Sequence, residues 1–110
     1  MNYNEMTDFE INKAVAAACL GEWYDNGTCV IKCDDDDRSI FQPCNSWADA
    51  GSIIEKHLIC LAADVFAEPQ DGGKWVAQPA YGWDSERVRS DNPLRAAMIL
   101  FLQTREKANA

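Results

Sequence analysis

Asn92-Pro93-Leu94-Arg95-Ala96-Ala97-Met98-Ile99-Leu100-Phe101-Leu102 is the stretch on which the fold of this chain turns. Asn92 is a helix N-cap residue, and Pro93 suits the first helical position, where a missing N–H costs nothing. Leu94, Ala97, Met98, Phe101 and Leu102 then form one helical stripe, which Ile99 and Leu100 widen beyond what a surface helix carries. The stretch is predicted to be the central helix of the core. Arg105 and Lys107 follow where cations complement the negative end of a helix dipole.

A matching helix is predicted at the other end. Thr7 and Glu10 form a Thr-x-x-Glu capping box, with Met6 and Ile11 placed for a hydrophobic staple across it. Ile11, Ala14, Val15, Ala18 and Cys19 share one face, and Gly21 supplies a stop. A third helix is predicted from Ser46, capped with Asp49, through about His57. Its inner face reads Trp47, Ala50, Ile53, Ile54, His57 and Leu58, and Gly51 weakens it by about 1 kcal/mol relative to alanine.

Between the helices lie β-prone runs. Glu22-Trp23-Tyr24 and Thr28 to Cys33 flank Asn26-Gly27, a hairpin signal. Asp34 to Asp37 is expected to be an exposed loop, and Arg38 to Gln42 a short strand ended by Pro43. Ile59 to Phe66 is almost uninterrupted in its apolar residues, which predicts a central strand buried on both faces. After the turn Pro69-Gln70-Asp71-Gly72-Gly73, Lys74 to Gln78 returns as its antiparallel neighbour. Pro79 to Asp91 is left as one long connection. The element order read this way is α-β-β-α-β-β-α. It implies an α+β fold, an antiparallel sheet of about four strands with helices packed on both faces, or on one face as the alternative. No repeat or linker divides residues 1–110, so a single domain is expected.

The chain has 110 residues, a net charge of −8 and five cysteines. The acidity disfavours direct binding to nucleic acid or to an anionic membrane surface. It suits solubility, display to a basic protein partner, or mimicry of nucleic-acid charge. Met1 to Glu10 is polar, with three acids, unlike a signal peptide, and no apolar run reaches the roughly 20 residues of a membrane span. A cytoplasmic location is expected, with Cys19, Cys29, Cys33, Cys44 and Cys60 reduced and acting as small apolar side chains. Four tryptophans are many for so small a core, which suggests one or two at the surface and a homodimer.

Three strings carry a resemblance to a known family. Asp8-Phe9-Glu10-Ile11-Asn12-Lys13-Ala14-Val15-Ala16 and Asn92-Pro93-Leu94-Arg95-Ala96-Ala97-Met98-Ile99 look like the hallmark strings of the phage NinX-like family. Cys44-Asn45-Ser46-Trp47-Ala48-Asp49-Ala50, followed by Ile53-Ile54, is similar to its central helix start. More distantly, the element order resembles the phage alpha-beta-alpha sandwich domain. The resemblance implies a small cytoplasmic accessory protein of a temperate phage or resident prophage, and it brings no catalytic residue with it. Cys29, Cys33 and the four-aspartate run have no place in the family pattern.

Few residues assemble into recognisable chemistry. Cys29-x-x-x-Cys33 lacks the spacing of a zinc knuckle, and two packed thiols on one strand face explain it better. The run Asp34–Asp37 would present hard oxygen ligands, but Ser39 and Asn45 stand where a calcium loop needs glycine and glutamate. His57 is the only histidine, so a Cys60–His57 pair is the one nucleophile–base combination available. No phosphate-binding glycine loop precedes a helix. Neither metal nor cofactor is therefore expected, and no enzymatic activity.

The segment 79–91 gathers Tyr81, Trp83, Arg87 and Arg89, residue types that dominate interfaces and that also stack on or clamp phosphorylated ligands. The competing explanation is a lid folded back on the core with its arginines paired to acids. The leading expectation is a non-enzymatic protein that binds a host or phage macromolecule. The alternative is a small-molecule, nucleotide-like binder or sequestering protein that uses residues 79–91.

Overall fold

The computed structural model describes residues 2–79 and 87–108. The order of elements is α1 (Asp8–Cys19), β1 (Glu22–Asp25), β2 (Val30–Asp34), β3 (Asp37–Phe41), α2 (Trp47–Lys56), β4 (Ile59–Ala63), β5 (Trp75–Pro79), β6 (Val88–Ser90) and α3 (Pro93–Ala108). The α+β class holds, but the expected four-strand sheet does not. There are two three-stranded antiparallel sheets, β1-β2-β3 and β4-β5-β6, in the order α-β-β-β-α-β-β-β-α.

Helix α3 is the centre. Ala96, Ala97, Met98, Ile99, Leu100, Phe101 and Leu102 are buried in succession over nearly two turns. A helix buried all round must be enclosed by other elements. Here α3 packs on all three strands of the second sheet and on both other helices. The Asn92 side chain caps it, accepting from the Leu94 N–H at 2.9 Å. Helix α1 carries the expected capping box between Thr7 and Glu10, and it buries Ile11, Val15 and Ala16.

Of the strands beyond four, β3 is the run expected over Arg38 to Gln42, and β6 is the one not expected. Asp34 to Asp37 is a tight hairpin in which Asp34 and Asp37 pair across the strands and only Asp35 and Asp36 turn. Asp35 adopts φ +54°, which aspartate tolerates better than most residues. The acids are exposed as expected, but two of them belong to strands. The expected connection 79–91 likewise contains strand residues at each end: Pro79 closes β5, and Val88 to Ser90 form β6.

The expectation that Ile59 to Phe66 forms a central, doubly buried strand is wrong. Only Ile59–Ala63 is extended, and it is hydrogen-bonded on one side, to β5. Ile59 and Leu61 pack towards the core, whereas Cys60 and Ala62 are exposed. Small apolar side chains are cheap to leave in water, so their continuity does not report burial. The outward side chains of this strand lie in solvent, and α3 packs on the opposite face. In α2, Trp47, His57 and Leu58 are exposed, leaving Ala50, Ile53 and Ile54 as the packed face. Trp47 is the first residue of that helix and Leu58 lies beyond its end, at φ +54°.

The first sheet meets the rest of the fold chiefly where β2 lies on α1. Val30 and Phe41, opposite one another across β2 and β3, are buried there, and Trp23 packs against the core.

Candidate functional site

Two surfaces and one segment stand out. The segment is the 79–91 stretch singled out by sequence. Tyr81 and Trp83 lie outside the described residues. Arg87 is exposed, immediately before β6. Arg89 is engaged internally: Nη2 meets Asp64 Oδ2 at 3.0 Å and Nη1 donates to the Gly73 carbonyl at 3.3 Å. The guanidinium hydrogen bond, with a further bond from the Phe66 N–H, holds the Asp64 carboxyl below its usual range. Gly73 is obligatory in this junction. Its φ is +141°, and a Cβ there would sit 2.2 Å from the Ser90 carbonyl carbon. Both arginines border a shallow hollow of about 580 Å³ beside Arg95.

The other sequence candidates are dispersed. Among the described residues, no group of three or more His, Cys, Asp or Glu side chains is placed to hold a metal ion. Cys29 and Cys33 flank Ile31 on one strand face, both half-buried. The His57 ring lies against Phe101, centroids 4.7 Å apart and tilted by 55°. Burial chiefly, and Lys56 secondarily, lower its pKa. Cys60 turns to the other side of β4, where its sulfur is 3.9 Å from Gln78 Nε2.

The first surface is the outer face of the β1–β3 sheet. Tyr24 stands opposite Ile31, and Ile31 opposite Ile40, so the three side chains form a continuous row across all three strands. Directly opposed side chains in antiparallel strands share a face, with Cβ atoms about 5 Å apart. This is the face opposite buried Val30 and Phe41. Tyr24 is 50% exposed and Ile40 51%. Glu22 and Arg38, paired through Cys33, form the next row on this face, and the exposed hairpin tip Asp34–Asp37 lies beyond it at the end of the sheet. Arg38, the nearby cation, donates to the carbonyls of Asp35 and Asp37.

The second surface is a groove of about 560 Å³ where the last turns of α1 and α2 meet α3. Ile53, Leu100 and Phe101 floor it; Lys56 and Arg105 border it with Ser52, Thr104 and the Cys19 thiol. Burial raises the Cys19 pKa, and Arg105 and Lys56 partly offset that. No motif announces this groove, because its residues come from separate helices. The only signal in the sequence is a cation near the end of two of them.

A polar fastening lies apart from both surfaces. The Cys44 N–H donates to the buried Asn12 Oδ1 at 3.0 Å, and the Cys44 carbonyl accepts from Asn92 Nδ2 at 2.7 Å. Arg95 Nη1 reaches Asp8 Oδ1 at 2.6 Å, and its Nη2 donates to the Met6 carbonyl. Apart from Met6, these residues belong to the three strings on which the family resemblance rests. They bind α1, the entry to α2 and the cap of α3 into one unit.

The architecture is that of a small α+β protein built around one enclosed helix, packed on the second of its two antiparallel sheets, with the first sheet resting on α1. The family model described as bacteriophage P22, NinX matches residues 2–105, and the chain belongs to that phage protein family. No curated protein matches it. Among the described residues no helix is long and apolar enough to cross a membrane.

Proposed function

We propose that this phage protein acts by binding, not catalysis, and that it engages a basic protein of the host or the phage in the cytoplasm of the infected cell. The observation that carries this reading is the row Tyr24–Ile31–Ile40, half exposed at both ends, on a sheet that ends in the acidic hairpin tip. An apolar centre with a charged rim is the usual build of a protein interface, and aromatic residues are enriched at its core. The surrounding charge selects the partner. Glu22 shares the row's face and the exposed hairpin tip Asp34–Asp37 ends the same sheet, in a chain of net charge −8, which favours a lysine- or arginine-rich counterpart and repels nucleic acid.

The test is affinity capture from infected or lysogenic cells with the wild-type chain and with Ile40→Glu and Tyr24→Ala. Both side chains are about half exposed, so the variants should fold, and circular dichroism checks that they do. A basic protein retained by wild type, lost from both variants and released as salt rises through about 0.5 M would support the reading, since screening shortens the reach of surface charge. Recovery of the same proteins by all three chains, or of none, would defeat it. Light scattering on the same samples distinguishes a second copy of the chain as the occupant of the row.

A further inference from the structure

The groove at the helix ends differs from the rest of the molecule in charge. The chain has 18 acidic and 10 basic residues, yet the groove is lined by Lys56 and Arg105 and by no aspartate or glutamate. Among the described residues neither cation is paired with a carboxylate. The ends of α1 and α2 face the same region, and each helix C-terminus carries about half a negative charge. Two full cations exceed those two halves, so the rim keeps a positive excess. Beneath it the floor is apolar, formed by Ile53, Leu100 and Phe101. Hydroxyls on Ser52 and Thr104 add hydrogen-bond donors at the border. The volume, about 560 Å³, lies within the range of small-molecule sites, roughly 300–1,000 Å³.

We infer that this groove is a binding site for a small amphipathic anion, an apolar body bearing one carboxylate or phosphate. The body lies on Leu100 and Phe101, and the anionic group is held between Lys56 and Arg105. The guanidinium offers paired donors to such a group, and the ammonium a mobile point charge. The site is separate from the Tyr24–Ile31–Ile40 row and does not depend on it.

Decanoate and naphthalene-2-carboxylate serve as probes, each compared with a cationic counterpart, decyltrimethylammonium and 2-naphthylmethylammonium. Binding is followed by methyl NMR shifts of Ile53 and Leu100, and by the rate at which Cys19 is alkylated, with Cys60 on the opposite side of β4 as internal control. The expected result is saturable binding of at least one anion at millimolar concentration or below, with slower alkylation of Cys19 and unchanged alkylation of Cys60. Lys56→Gln with Arg105→Gln should weaken that binding about ten-fold, or about 1.4 kcal/mol. Both substitutions are at exposed positions, and unchanged melting of the double variant confirms its fold. Three results would overturn the inference: no saturation by either anion, equal binding of the cations, or undiminished binding by the double variant. None of them bears on capture of a basic protein by the first sheet.

Discussion

Arg95 and Asp8 join the two ends of the described chain through a 2.6 Å contact between Nη1 and Oδ1. Arg95 is largely covered, with a side chain 19% exposed, and it also reaches the carbonyls of Tyr3, Asn4 and Met6. Tyr3 in turn donates to Glu106 Oε2 at 3.0 Å. The segment before α1 is thus laced to α3 by one planar cation and one phenol. Arg95→Met should lower stability in urea by about 1.5–3 kcal/mol, the range for hydrogen bonds to a charged group. Arg95→Lys should recover little of this, because one ammonium cannot reproduce the fork. Asp8→Asn should cost less than Arg95→Met, since the three carbonyls still hold the guanidinium.

The Cys44 backbone bridge makes a second, chemical prediction. The Cys44 thiol is fully buried, and its pKa is raised to about 12, first by burial and then by Asp8, with Arg95 opposing. Iodoacetamide at pH 8.5 should modify exposed Cys60 in the folded protein and leave Cys44 untouched until denaturant is added, as peptide mapping would show. Asn12→Leu strands the Cys44 N–H without its acceptor and should cost about 1–3 kcal/mol.

Three backbone positions predict opposite signs. At Gly51, within α2, an added Cβ would meet nothing within 4 Å, so Gly51→Ala should stabilise by about 1 kcal/mol. Leu58 ends that helix at φ +54° with 64% of its surface exposed, and Leu58→Gly should gain about 1 kcal/mol by relieving the left-handed backbone. Gly73→Ala should cost more than about 2 kcal/mol, combining a forbidden φ with a clash against Ser90. Thermal melts of the three variants give the order directly.

Stability near neutral pH should depend on His57, the only histidine in the chain. Its folded pKa lies below the ordinary 6.5 because burial, then Lys56, disfavour the imidazolium. The unfolded chain therefore takes up the proton first as pH falls. Stability should decline as pH drops through about 6.5 and level off below the folded value. The carboxyls of Glu10 and Asp64 are also held low. Their contributions are lost only at more acidic pH, so the two windows separate. Melting temperatures at pH 7.5 and 5.5 should differ for the wild type and differ less for His57→Gln.

Much of the fold is legible in the sequence where the signal is local. The Thr7–Glu10 box, the Ser46 cap and the Asn92-Pro93 start each place a side chain against a backbone group a few residues on, and each is present. The unbroken burial of Ala96–Leu102 follows from its width of apolar residues. What escapes is anything decided by partners far along the chain. Ile59–Ala63 looks central because its residues are apolar, but its place at a sheet edge depends on where β5 and β6 lie. Val88–Ser90 is too short to show alternation. Arg89 looks available beside Tyr81 and Trp83 until Asp64, from the end of β4, occupies it. The groove is illegible for the same reason, since Cys19, Lys56 and Arg105 converge only after folding.

The enclosure of α3 also sets the order in which the molecule can form. Helices α1 and α2 and the second sheet all lean on a segment that the ribosome makes after them, so residues up to Asp91 emerge without the stretch 94–102 that forms the largest part of the core. Compaction must wait for residues 93–102. Until then the nascent chain exposes Ile11, Val15 and Ile53 to whatever chaperones the cell supplies.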